Sequence, residues 1–198
     1  MRMTRSTLIV ISAVIATGLL AGCSSNNSMP DMPGMDSGDT GSSASAAVFN
    51  DADVTFVEGM IPHHTQAVEM STMLLAKTGI DPRVVDLATR IKTAQGPEIT
   101  AMNSWLVQWG NPADPMAGMD MGGGMMSDAD MAALDAATGL EASKLFLTQM
   151  TVHHASAIEQ AKAEKAAGKN GDALALADGI VSSQSAEITE MAGLLATL

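Results

Sequence analysis

The chain of 198 residues contains one cysteine and no tyrosine, and aromatic residues make up only 3% of it. Because an intrachain disulfide or a thiolate metal cage needs several cysteines, a lone Cys23 excludes both. A core with so few aromatic rings must be built from Ala, Leu, Ile, Val and Met. Such a composition is typical of packed helices.

Basic residues are also few, with 10 Lys and Arg against 22 Asp and Glu and a formal net charge of −12 at pH 7. Proteins that bind nucleic acid or anionic membrane surfaces present a basic patch, which this composition does not offer. We therefore expect no nucleic-acid partner, and membrane association must come from another feature of the chain.

That feature is the N-terminus, MRMTRSTLIVISAVIATGLLAGC, in which two arginines precede an apolar run from about Leu8 to Leu20. The run is too short to span a bilayer, so it predicts a secretory signal. Its end, LLAGC, resembles a bacterial lipobox, which implies cleavage before Cys23 and lipidation of that residue. We expect residues 1–22 to be removed and the protein to be lipid-anchored to the membrane in the cell envelope, outside the cytoplasm. The alternative is a secreted protein with a free thiol.

Residues 23–49 are rich in Ser, Gly, Asp, Pro and Met, a composition that predicts a flexible tether. Helices are predicted in residues 50–198, where Gly, Pro and Asn mark the breaks between segments. The expected helical segments are about 51–77, 82–110, 127–167 with a break at Thr138-Gly139, and 172–197. Pro62 lies within the first segment, where it should bend or break the helix. Alternatively, the helix proper begins at this proline.

The helical region contains an internal repeat. FVEGMIPHH matches FLTQMTVHH at an offset of 90 residues, and QGPEITAM matches QSAEITEM at an offset of 89. The repeat indicates two homologous helical hairpins, at about 50–110 and 128–198, joined by a Met-rich loop at 111–127. We therefore predict an all-α fold, an antiparallel four-helix bundle made of these two hairpins.

All four histidines of the chain lie in this repeat as two adjacent pairs, His63-His64 and His153-His154. Each pair continues the apolar stripes of its helix, so we expect both rings to face the protein interior. The second helix of each hairpin carries a glutamate, Glu98 or Glu187, at core spacing. Because a buried carboxylate is costly unless it is paired or coordinates an ion, these positions indicate a site.

Methionines complete two equivalent sets of candidate ligands. One methionine precedes the second histidine of each pair by four residues, and another follows each glutamate by four, which places these side chains on one helix face. The predicted metal ligands are His63, His64, His153, His154, Met60, Met150, Glu98, Glu187, Met102 and Met191. Structural ion pairs between glutamate and histidine are the alternative, which two equivalent sets disfavour.

The donor types favour copper. A di-iron carboxylate bundle normally uses Glu-x-x-His motifs, and the sequence contains none. Thioether sulfur suits Cu(I) and imidazole suits either oxidation state, so we expect copper, with Cu(I) favoured and another transition metal as the alternative. A predicted secondary set of methionines lies in the tether and the loop: Met29, Met32, Met35, Met116, Met119, Met121, Met125 and Met126. Adaptable apolar contacts are the other role open to them.

The phrase FVEGMIPHHTQAVEM and the Gln-x-x-Glu-x-x-x-Met helices resemble the bacterial domain-of-unknown-function family 305. The resemblance covers about residues 50–198 and implies a ferritin-like bundle, some members being extracytoplasmic copper-binding proteins. It implies metal binding by the four histidines, with Met60 and Met150 beside them. The second copy lacks the proline and has Gln160 and Ala163 where the first has methionines. Equal affinity of the two halves therefore does not follow from the repeat.

Together these features predict a lipoprotein that sequesters copper or passes it on, as in copper resistance. The alternatives are a small bundle metalloenzyme such as a cuprous oxidase and a metal-free interaction domain. The sequence offers no nucleophile arrangement or organic-cofactor motif, which lowers the enzyme alternative. Candidate partners are the metal ion, a copper chaperone or exporter, and a second copy of the chain.

Overall fold

The computed structural model describes residues 48–112 and 124–198. Within these residues it contains no strand and five helices, α1 Asp51–Leu75, α2 Pro82–Gln108, α3 Asp128–Ala136, α4 Gly139–Ala167 and α5 Gly171–Leu195. The predicted all-α fold is confirmed. The predicted signal segment, Cys23, most of the tether and the middle of the Met-rich loop lie outside the described residues. None of the five helices is both long enough and apolar enough to cross a membrane.

The helices begin where the sequence supplies capping side chains. At α1 the Asn50 side chain accepts the backbone N–H of Asp53, and the Asp53 carboxylate accepts the N–H of Asn50, which makes a reciprocal capping box. Ser127 and Asp130 form a second reciprocal capping box at the start of α3. The two residues between α3 and α4 are extended, so the predicted break before Gly139 is confirmed.

Two helices run through a proline that directly precedes a candidate ligand. Helix α1 continues through Pro62, the residue before His63, so the alternative of a helix that begins at this proline is wrong. Helix α2 contains Pro97, the residue before Glu98. Because proline has no N–H for the carbonyl four residues earlier, each helix lacks one internal hydrogen bond next to the predicted site.

The four long helices pack as two hairpins, α1 on α2 and α4 on α5. The hairpins meet mainly through α1 and α4 and also through α2 and α5, while the short α3 lies against α1 and α4. The architecture is therefore the predicted antiparallel four-helix bundle with one additional short helix.

The core consists of two apolar clusters that follow one another along the bundle. On α1, Met60 belongs to one cluster and Ala67 to the other, and on α4 the same holds for Ala157 and Met150. The two histidine pairs occupy the helical turns between these residues. A polar layer therefore crosses the middle of the bundle, at the level where the hairpins contact each other.

Candidate metal centre

At the centre of this layer the imidazole rings of His63 and His153 face each other across the α1 and α4 helices. Their ring centroids are 3.7 Å apart, with planes inclined by 38°. Both residues are buried, as are His64 and His154, so the predicted inward orientation of all four histidines is confirmed. The two repeats thus contribute equivalent residues to one central contact between the hairpins.

The outer histidine of each pair contacts the glutamate of its own hairpin. His64 Nε2 lies 2.8 Å from Glu98 Oε2, and His154 Nε2 lies 2.8 Å from Glu187 Oε2. The histidine side chains are fully buried, whereas those of Glu98 and Glu187 are 30% and 16% exposed. Each carboxylate therefore reaches the buried ring from a partly solvated position, and this pairing is the one that the structural alternative foresaw.

The two central histidines differ in their polar contacts. His63 Nε2 lies 3.1 Å from the hydroxyl oxygen of Ser156, one turn beyond His153 on α4. The residue equivalent to Ser156 in the first repeat is Gln66, whose side chain instead makes two hydrogen bonds of 2.8 and 2.7 Å to the backbone of Met126. The polar layer therefore departs from twofold symmetry at its centre.

Several buried polar atoms of the layer have no hydrogen-bond partner in the described part of the chain. They are the Nδ1 atoms of all four histidines, Nε2 of His153, and the Oε1 atoms of Gln95 and Gln184. A buried acceptor that is left unpaired costs about 1–3 kcal/mol, so such a concentration calls for a ligand or a functional reason. Imidazole nitrogen and amide oxygen atoms are both metal donors.

Burial keeps the central histidines uncharged. It lowers the pKa of His63 to about 3, and the neighbouring imidazoles of His64 and His154 add to the effect. Burial also lowers the pKa of His153 well below its ordinary value of 6.5, with His63 as the next contributor. Since a histidine binds metal through an unprotonated nitrogen, these two rings need to lose no proton at neutral pH before they do so.

The four predicted methionine ligands are fully buried. Met60 and Met102 lie in one core cluster, and Met150 and Met191 lie in the other. The apolar clusters on both sides of the histidine layer therefore contain methionine. Within residues 48–112 and 124–198, no three His, Cys, Asp or Glu side chains converge as ready ligands of one ion. The thioether sulfur atoms and the amide oxygen atoms are the other donor types that the layer and its borders offer.

Three residues of the layer are absent from the predicted ligand set. Gln95 and Gln184 are buried at equivalent positions of the two hairpins, one turn before the glutamates, and their recurrence at core spacing was the available signal. Ser156 carried no such signal, because the equivalent residue of the first repeat is a glutamine. Its contact with His63 arises between helices.

The C-terminal end of the Met-rich loop rests beside this centre. Gly124 has a φ of +80°, and a Cβ at this position would lie 2.1 Å from the Cβ of Ser156. Met125 and Met126 are partly buried, and Met126 packs against a core cluster. The other six methionines of the predicted secondary set lie outside the described residues.

Solved structures with this architecture carry informative names. A Streptomyces coelicolor protein described as a secreted DUF305 protein is 38% identical, with 74% of this chain and 93% of that chain covered and a TM-score of 0.68. A DUF305 fragment from Deinococcus radiodurans is 30% identical, with 75% and 98% covered and a TM-score of 0.65. CopM in its Cu(II)-bound form is 33% identical, with 73% and 96% covered and a TM-score of 0.65. CopM is also known in Cu(I)-bound and silver-bound forms.

Among curated proteins, an uncharacterized protein of Acanthamoeba polyphaga mimivirus is 46% identical over 54 residues, which are 27% of this chain. The match spans about a third of the viral protein, 35% of its length. The profile of the family described as Domain of unknown function (DUF305) matches residues 53–195. Because this match covers well over half of the chain and nearly all of the bundle, the chain belongs to the DUF305 family.

Proposed function

We propose that this protein binds copper outside the cytoplasm and holds it or passes it on without chemical conversion. The observation that carries the proposal is the layer of four buried histidines, whose Nδ1 atoms have no partner in the described residues, between two apolar clusters that both contain buried methionines. Copper-bound and silver-bound forms of CopM, a relative about one third identical, support the same chemistry.

The donor set argues for Cu(I). Neutral imidazoles and thioethers bring no charge to the site, and soft donors of this kind suit Cu(I) better than hard divalent cations. The ten predicted residues are the candidates for the site, with the histidines as its centre. Gln95 and Gln184 are further candidates, because their buried side-chain oxygen atoms also have no hydrogen-bond partner in the described residues.

The predicted organisation of the chain fits an envelope protein that handles copper. A lipid on Cys23 would tether the bundle to the membrane, with residues 23–49 as the connection and 50–198 as the copper-binding domain. The relative from Streptomyces coelicolor carries a name that calls it secreted, which supports a location outside the cytoplasm for this protein. A copper chaperone or exporter would then be the protein that delivers or removes the ion.

The test is a Cu(I) competition titration of protein purified without a histidine tag. Changing His63, His64, His153 and His154 together to Ala should abolish tight binding and leave the helical circular dichroism largely unchanged. A matched control, Thr65→Ala with Thr148→Ala, alters exposed residues of the same two helices and should keep the wild-type affinity. Unchanged Cu(I) affinity in the fourfold variant would place the site in the Met-rich segments instead.

A further inference from the structure

We infer that Glu98 and Glu187 are positioning residues, which hold the Nε2–H groups of His64 and His154 so that copper is bound through Nδ1. This inference rests on the proposed function and divides the predicted ligands into two roles. The imidazoles and thioethers would contact the ion, and the two carboxylates would fix the tautomer and orientation of a ring.

The first step is the identity of the proton between each pair. An ionised carboxylate only accepts hydrogen bonds, so the 2.8 Å contact between His64 Nε2 and Glu98 Oε2 places a hydrogen on Nε2. A second hydrogen on Nδ1 would find no acceptor, because that buried atom has no partner in the described structure. The lone pair that can bind a metal ion is then on Nδ1.

The contact with the carboxylate also determines the direction in which the Nδ1 lone pair points. The two nitrogens of an imidazole lie on different edges of the ring, so a ring held at Nε2 presents Nδ1 elsewhere. The Nε2 edges of His64 and His154 meet carboxylates that are partly exposed, whereas their Nδ1 atoms are buried in the layer. The nitrogen without a partner is therefore Nδ1, which is buried within the polar layer.

The third step is the repetition of the arrangement. Both hairpins reproduce the same atoms, Nε2 to Oε2, at the same distance, although the two helices that carry the glutamates differ in most other positions. The central histidines show no such repetition, since His63 contacts Ser156 and His153 has no polar partner on either nitrogen in the described residues. The carboxylate contact is therefore a specific feature of the outer pair. Metal-bound histidines commonly donate their second N–H to a carboxylate in this way.

The metal-free protein supplies the first readout. Nitrogen-15 NMR of the histidine rings should show His64 and His154 as Nε2–H tautomers. Glu98→Leu should shift the tautomer population of His64 and leave His154 unchanged. Glu98→Gln should restore the wild-type signal, because the amide oxygen can still accept the Nε2–H. As the matched control, Glu69→Leu removes an exposed carboxylate of α1 and should change neither ring.

The second readout uses Ag⁺, a diamagnetic substitute for Cu(I) whose nuclei couple to a bound nitrogen. Silver coupling should appear on Nδ1 of His64 and His154, and Glu98→Leu should lower the Cu(I) affinity by roughly 10- to 100-fold, with recovery in Glu98→Gln. Coupling on Nε2, or a His64 tautomer that Glu98→Leu does not change, would overturn this inference while leaving copper binding intact. Wild-type protein that binds neither ion would overturn the proposed function and this inference together.

Discussion

At the scale of single residues, Glu164 on α4 is a buried carboxyl group outside the predicted metal ligands. The residue is 2% exposed, and its side chain lies beside the carboxylate of Asp53. Burial, and then the neighbouring Asp53, raise the pKa of Glu164 to about 8. Burial acts in the same direction on Asp53, but backbone N–H donors, Asn170 foremost, outweigh it and lower the pKa of that carboxyl. The proton therefore resides on Glu164 at neutral pH.

We predict that Glu164→Gln removes a pH dependence of stability. Because the folded-state pKa of about 8 exceeds the ordinary value of 4.5, the contribution of protonated Glu164 is complete below pH 4.5 and is lost as the pH rises through 8. Between about pH 5 and 8, the unfolding constant of the wild type should rise relative to that of the variant, by at most roughly tenfold per pH unit. Urea unfolding of both proteins across this range measures the difference.

The buried histidines change the folding stability with pH in the opposite direction, and they do so at lower pH. The pKa of His63 is about 3 in the folded protein, so its contribution is present above the ordinary value of 6.5 and is lost as the pH falls through 3. Both proteins share this term, which cancels in the comparison. Glu159→Gln, which removes an exposed carboxylate of the same helix, should keep the wild-type profile. Parallel profiles for Glu164→Gln and the wild type would mean that Glu164 is charged in the folded state.

The sequence predicted which residues are buried, because helical periodicity determines burial. It did not predict which atoms come into contact between helices. Helical spacing alone predicted that His63 and His154 face inward, and both are buried. It could not predict that His63 would contact Ser156, or that Nε2 rather than Nδ1 of His154 would meet Glu187. Those contacts depend on the rotation and axial offset of neighbouring helices, to which a one-dimensional pattern is insensitive.

At the scale of elements, local signals located the helices to within about two residues. Helix α2 begins at Pro82 behind its Asp81 cap as predicted, and α1 ends at Leu75, two residues before the predicted Lys77. Helix α4 begins at Gly139 itself, where a left-handed φ of +54° was not foreseen. A Cβ on Gly79 would lie 3.5 Å from the Cα of Gly139, so these two turns come into contact. Such a contact between turns has no local sequence signal.

The fold fixes the position of the C-terminal end of the Met-rich loop. Gln66 on α1 holds the backbone of Met126 through two hydrogen bonds, and Gly124 lies against Ser156 on α4. Since Ser156 also contacts His63, one side chain separates the end of the loop from the central imidazole. A loop that collects copper would therefore deliver it close to the histidine layer.

We predict that the methionines of the tether and loop are weaker, exchangeable Cu(I) sites that load the bundle. Thioethers need no deprotonation, so their binding should persist at about pH 5 as well as at about pH 7.5. In a variant with all eight methionines of the predicted secondary set changed to Leu, fewer Cu(I) ions should bind at about pH 5 and the bundle should load more slowly at about pH 7.5. Cu(I) titration and stopped-flow loading at both pH values measure these changes.

Met131→Leu is the control for this experiment, since this residue packs at the edge of a core cluster outside the predicted sites. It should bind and load copper as the wild type does. If the eightfold variant matches the wild type in stoichiometry and in loading rate at both pH values, the segments are ordinary linkers.

At the scale of the whole molecule, the two hairpins are equivalent in outline and different in detail. The repeat predicted the paired helices and the equivalent positions of the two histidine pairs. It did not predict that the second hairpin would carry a buried acid, Glu164, at the position that Leu74 fills in the first. The repeat is visible because core positions tolerate few residue types, whereas such departures follow from neighbours that only one half has, here Asp53.

We predict that Cys23→Ala releases the whole molecule from the membrane. A net charge of −12 gives the chain little electrostatic attraction to anionic lipids. Acyl chains on Cys23 would supply the missing affinity, at about 0.8 kcal/mol for each buried methylene group. Fractionation of cells should find the wild type with membranes and Cys23→Ala in the soluble fraction or uncleaved, with Ser25→Ala as a control that stays anchored. A Cys23→Ala protein that is cleaved and still membrane-bound as firmly as the wild type would rule out lipid anchoring and require a protein partner at the membrane.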